Sequence, residues 1–348
     1  MTLLIQWNDI FNIPEDASSV RIERYGSDWK QILDQITGLP QLTHLEFGQE
    51  ITSIEFIEAV LKSNIMPNVE HLLLPDFVVS DSYWPQLHAL QSLHIQCTRL
   101  SDLSFDQFSF NHFTALTSLQ IDSMPNHATF NRISPHLPQL TALNVCRFEF
   151  NLDIGLGVIA EAQHILLEPI WKMAQLRELT WEAHSHSWGE MLNGLPHLET
   201  VWLNARLDYR SSIPWLGTST LRSLTLSGVF SNQELLPALN NMSQLTHLTL
   251  HGKMRYERPP KRPKNRYVYI PDGPSDSEGF QYLLKPISAM HSLASFDLEM
   301  IESALHGPSK HTNPNTPHLP DWIQHLPASL QSLRMANVFS KEELDWKG

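Results

Sequence analysis

The chain has 348 residues, 42% of them hydrophobic and 18% charged, with a formal net charge of −13. That acidity argues against general binding to nucleic acid, whose phosphates require a cationic footprint, and favours solubility and attraction to basic partners. Polar residues break every apolar run within a few positions, so no membrane span is predicted. The opening Met1–Asp9 has neither a basic leader nor a long apolar stretch. Two cysteines, Cys97 and Cys146, are too few for a disulfide framework, and a cytoplasmic location with reduced thiols is expected.

One fragment, Leu-x-x-Leu-x-Leu, recurs along nearly the whole chain. A weak copy at Ala17-Val20-Ile22 is followed by Leu42-Leu45-Phe47, Val69-Leu72-Leu74, Leu90-Leu93-Ile95, Leu116-Leu119-Ile121 and Leu140-Leu143-Val145. The series continues with Leu176-Leu179-Trp181, Leu198-Val201-Leu203, Leu221-Leu224-Leu226, Leu245-Leu248-Leu250, Leu293-Phe296-Leu298 and Leu330-Leu333-Met335. First anchors mostly follow one another at 21 to 27 residues, with longer intervals of 36, 48 and 37. Self-similarity at a fixed period is the mark of a repeat architecture, in which each unit buries its apolar side against its neighbours.

Within a unit, the alternation in His44-Leu45-Glu46-Phe47 predicts a short strand with Leu45 and Phe47 inward. Helical apolar spacing follows from Ser53 to Leu61. Capping boxes mark further helix starts at Ser187 with Glu190, Ser231 with Glu234, Ser275 with Glu278 and Ser340 with Glu343. Pro40, Pro67, Pro138 and Pro196 each stand two residues before an anchor, ending the preceding helix and favouring extended backbone. In period and core fragment the chain resembles the leucine-rich-repeat superfamily over roughly residues 17–336. It departs from the usual Asn or Cys ladder, with Glu50, Thr98, Met124, Phe148, Arg206 and Val229 at that place, so the resemblance is to an irregular type. The expected fold class is α/β, a curved leucine-rich-repeat solenoid of about 11–12 repeats with a parallel sheet on the concave side and helices on the convex side.

The expected organisation is one solenoid over 1–348, with a cap at 1–16, repeats at 17–336 and a second cap at 337–348. The excess before Leu176 reads as a longer helix, and residues 307–320 as a Pro-rich loop. Residues 253–274 form a basic insertion. Lys253, Arg255, Arg258, Lys261, Arg262, Lys264 and Arg266 against Glu257 give +6, leaving −19 elsewhere. Met254–Arg258 and Arg266–Ile270 read as the arms of a hairpin; a degraded repeat or a loop are the alternatives.

With the anchors inward, alternate strand positions face outward. The candidate partner-binding positions there are Arg21, Glu46, His71, His94, Gln120, Asp122, Glu178, Glu182, Trp202, Asn204, His247, Asp297 and Glu299. Trp202 amid polar neighbours is the kind of side chain that anchors interfaces, and the carboxylates are placed to receive Lys or Arg. His44, His71 and His94 read as equivalent positions in successive repeats. A flat ladder sets ligands side by side rather than around an ion, and no HExxH or paired-Cys motif accompanies them, so no metal or other cofactor is expected; a pH-sensitive contact face fits better. In the insertion, Tyr256 interleaves with Lys253, Arg255, Arg258, Lys261, Arg262, Lys264 and Arg266, a pattern that suits an acidic partner, the chain's own acidic rim or, as the competing reading, nucleic acid.

No catalytic motif is present: Gly155-Leu156-Gly157 lacks the third glycine and the preceding strand of a phosphate loop, and no GxSxG elbow occurs. The reading is therefore a non-enzymatic module that recognises a partner protein with a basic surface. An adaptor is the leading form; a stoichiometric inhibitor or immunity-type protein masking a basic enzyme or toxin is its close variant.

Overall fold

The computed structural model describes residues 2–5, 14–23, 29–48, 51, 53–75, 87–96, 112–122, 134–145, 170, 173–182, 192–206, 220–231, 238–255, 286–300 and 326–336. The chain divides into two compact units, Met1–Glu182 and Ala183–Gly348. No helix among the described residues is long and apolar enough to cross a membrane.

In the first unit the strands β1 (Thr2–Ile5), β2 (Ser19–Ile22), β3 (His44–Phe47), β4 (His71–Leu74), β5 (Ser92–Ile95), β6 (Ser118–Ile121), β7 (Ala142–Val145) and β8 (Glu178–Glu182) pair in chain order, all parallel. In the second, β9 (Thr200–Arg206), β10 (Ser223–Ser231), β11 (His247–Arg255), β12 (Ser295–Met300) and β13 (Ser332–Ala336) do the same. The register matches anchor to anchor: Leu45 opposite Leu72, Leu72 opposite Leu93, Leu224 opposite Leu248. Strands of this kind need a crossover, which the repeat length supplies. The crossovers of the described residues include the helices α1 (Trp29–Thr37) and α2 (Ile54–Leu61). Ser53 caps α2, its side chain accepting from the Phe56 amide at 3.3 Å.

The anchors are the core. Leu45, Leu93, Leu143, Leu224 and Phe296 are at most 1% exposed. A further buried residue stands three positions before eight of the anchors, which the fragment itself does not contain: Leu39, Met66, Leu87, Phe113, Leu137, Met173, Met242 and Met290. Each closes a tight turn whose carbonyl accepts the anchor's amide, as from Leu90 to Leu87 at 3.1 Å and from Leu245 to Met242 at 3.1 Å. Repeats are joined by a second device. The two amides after an anchor converge on one carbonyl of the preceding repeat: Glu70 and His71 on Thr43 O at 2.8 and 3.0 Å, Gln91 and Ser92 on Glu70 O at 2.7 and 2.9 Å. The same pairing carries Thr246 and His247 on Arg222 O, then Ala294 and Ser295 on Thr246 O.

Several expectations change. β1 lies inside the segment read as a cap and continues the ladder beside β2. Pro67 does not bias the chain toward extended backbone; it opens a 3-10 turn over Met66–Asn68, where a missing N–H costs nothing. Ser231 is the last residue of β10; Glu234 of its capping box, the other three capping boxes and residues 6–13 and 337–348 of the expected caps lie outside the described residues. Leu333 keeps its register opposite Phe296 but is 40% exposed. Lys253–Arg255 extend β11 in parallel register with Val229–Ser231 of β10; the rest of the expected hairpin lies outside the described residues. Midway, Gly252 holds φ 138°, a conformation open to glycine and strained for other residues.

Three outcomes follow in chemical denaturation. Leu45→Ala is expected to lower the unfolding free energy by about 2–5 kcal/mol, whereas Gln91→Ala, exposed and contributing its backbone carbonyl to a joint, changes it by less than about 0.5 kcal/mol. Gly252→Ala is expected to cost about 1–3 kcal/mol through backbone strain alone.

Candidate polar sheet face

The strands of the first unit alternate, with anchors buried and the residues between them half-exposed. Because equivalent residues of parallel in-register strands sit about 4.8 Å apart, side chains meet across strands in rows. In the first row His44 stacks on His71, with ring centroids 4.0 Å apart and planes inclined by 16°. Thr43 Oγ1 lies 2.8 Å from His44 Nδ1 and fixes that ring. The stack ends at Ser92, which is the residue opposite His71. His94 is not the third member of this row, contrary to its reading from sequence. It stands opposite Leu73, one row further along the strand, because it follows the second anchor of its repeat rather than preceding it.

His94 instead reaches diagonally to Asp122, its Nε2 donating to Oδ1 at 2.8 Å, and Gln120 Nε2 donates to the same oxygen at 3.0 Å. Arg21 is held between two carboxylates, Glu23 just past the end of β2 and Glu46 on β3, the latter at 3.4 Å. Glu178 is exposed on β8, opposite Ala142. Glu182 is the last residue of β8. Burial, then the adjacent His44 imidazole, pull the His71 pKa below the ordinary histidine value, with Glu70 acting in the opposite direction.

The second unit repeats the theme. Arg334 on β13 donates from Nη1 to Asp297 Oδ2 at 3.1 Å and from Nη2 to Glu299 Oε2 at 3.3 Å, so these two acids already hold a cation of their own chain. His251 Nε2 lies 3.9 Å from Asp297 Oδ1. Trp202 is half-buried on β9 opposite Thr225, which is too short to cover an indole, and Asn204 stands opposite Ser227. His247 is exposed, its Nδ1 2.8 Å from Thr246 Oγ1, the same Thr–His device as at position 44. Of the basic segment, Lys253 and Arg255 belong to β11, while Tyr256, Arg258, Lys261, Arg262, Lys264 and Arg266 lie outside the described residues.

What sequence reading missed is the pairing within each cluster. Arg334, not among the candidate positions, is the partner of Asp297 and Glu299, 37 and 35 positions away. Arg21 and Glu46 are 25 positions apart, one repeat interval, so the period itself was the available signal. Among the described residues no group of three or more His, Cys, Asp or Glu side chains converges as a metal site.

The lowered His71 pKa gives a signed prediction. The folded state binds this proton less readily than the unfolded chain, whose histidine titrates near 6.5. The stabilisation is complete above that pH and is lost as pH falls below it through the lower folded value. A His71→Gln variant should therefore show a flatter decline of stability on acidification than the parent, read by urea titrations across that range.

No known family model matches the sequence, and no curated protein is similar to it. Solved structures with likeness include TLR13 in its complex with ssRNA13, at 17% identity and a TM-score of 0.41, covering 91% of this chain and 44% of that one. Toll in the Drosophila Toll–Spatzle complex gives 10% identity and a TM-score of 0.39, covering 98% of this chain and 56% of that one. An LRR protein of Leptospira interrogans gives 14% identity and a TM-score of 0.21, covering 80% and 83%. The chain spans about half the length of the first two. On its own repeat period, its anchor-to-anchor parallel register and its recurring tight turns, the chain has the α/β leucine-rich-repeat fold.

Proposed function

We propose that the protein is a non-catalytic recognition module that binds a partner protein with a basic surface through the polar face of its sheets. One observation carries this reading. On that face the charged clusters hold two carboxylates to one guanidinium, Glu23 and Glu46 on Arg21, Asp297 and Glu299 on Arg334. Internal pairing therefore organises each cluster without neutralising it, and a net negative charge remains at each. Exposed ion pairs of this kind contribute little to stability, but fixed charges steer and select a partner.

Trp202 supplies the apolar element. A half-buried indole beside threonines and serines presents area at low entropic cost, as interface anchors do. Glu178 adds an exposed carboxylate to the first unit. The basic insertion is proposed to contribute to partner binding, and the location is proposed to be cytoplasmic.

Affinity co-purification with the full chain and matched variants tests the reading. Trp202→Ala is expected to weaken capture of the partner by about 2 kcal/mol or more, as hot-spot truncations do, with an unchanged thermal midpoint. Equal capture by both proteins would move the interface off this face.

A further inference from the structure

We infer that the stacked imidazoles of His44 and His71 form a docking point for a guanidinium of the partner, open while His71 is uncharged. This rests on the partner-binding role proposed for the face. The pair is pre-built: the rings lie 4.0 Å apart and 16° from parallel, and Thr43 Oγ1 holds His44 from one side. Near-parallel rings direct their nitrogen lone pairs side by side, so the two do not converge on one metal ion. What a stack of this kind accepts is another planar group.

The row supplies the space. Short side chains flank the pair, Ser19 opposite His44 and Ser92 opposite His71. The charges supply the sign. Glu70 precedes β4 beside His71, and the next row along the strands holds Arg21, Glu46, Leu73 and His94, with Glu23 and Asp122 just past the ends of β2 and β6. Arg21 is committed to Glu23 and Glu46, and His94 to Asp122. Glu70 lies near enough to act on His71. A planar, weakly hydrated guanidinium stacks on a neutral ring face and gains from surrounding carboxylates, whereas a compact ammonium gains only the second effect. A proton on His71 turns attraction into repulsion. Burial and the neighbouring imidazole oppose that proton.

The test compares acetylated hexa-arginine and hexa-lysine peptides binding to the full chain by fluorescence anisotropy. At about pH 7.5, where imidazole is neutral, hexa-arginine is expected to bind about three- to fivefold more tightly. That ratio is expected to fall to about one at roughly pH 5. It should fall likewise in His71→Ser at the higher pH, with hexa-lysine affinity unchanged. Serine already occupies this row position in the strands on either side of the pair; should that variant fail to fold, His44→Ser serves, since it removes the other half of the stack and should also abolish the preference. A ratio near one in the parent protein, or a ratio that survives these substitutions, overturns the inference while leaving a cation-binding face. Absence of binding by either peptide overturns the reading of the face as well.

Discussion

The structure depends on a single recurring joint, the backbone carbonyl just after each anchor that accepts two successive amides from the next repeat. Hydrophobic burial drives the anchors inward, but burial is non-directional and does not set register. The shared carbonyl does. With both amides drawn to one oxygen, the next strand starts at a fixed offset, and every anchor falls opposite its predecessor. A slip of one residue would turn all the anchors to the other side. Threonine reinforces the joint where it occurs: Thr141 Oγ1 donates to Thr117 O at 3.2 Å and Thr246 Oγ1 to Arg222 O at 2.8 Å.

Fixed register is also what makes the polar face a patterned surface. His44 meets His71 and Arg21 meets Glu46 because each pair shares a row or neighbouring rows, not because either pair is near in sequence. The clusters are consequently rigid in backbone and modest in energy, charged groups held at the surface rather than buried. Such an arrangement suits selectivity: the pairing geometry is set by the sheet, and the residual charge is presented at defined steps along it.

The anchors were legible in the sequence because a buried strand face demands large aliphatic side chains at two-residue spacing, and Leu45, Leu93 or Leu248 satisfy little else. The buried residue three places earlier was less visible, since leucine, methionine and phenylalanine alternate there and a tight turn tolerates each. β1 was hidden because Thr2–Ile5 is four residues with no recurring fragment to align. Row membership failed for His94 because counting from the first anchor and counting from the second give positions two residues apart. The double pairing of Arg334 needed knowledge of which strands adjoin after an interval of irregular length. Sequence thus specified which side chains leave the core, while their mutual contacts waited on register.

The shared-carbonyl joint has a consequence for where one amino acid can stand. Each joint consumes the N–H groups of two consecutive residues, and a proline at either place would have none to give. The chain contains 23 prolines, yet the paired positions hold Thr43 and His44, Glu70 and His71, Gln91 and Ser92, Thr246 and His247, and so on without one. Pro40, Pro67, Pro138 and Pro196 stand instead within the turn, short of the anchor. Imino acids are thereby sorted by a grammar of backbone valence, and inserted segments are tolerated where that grammar makes no demand.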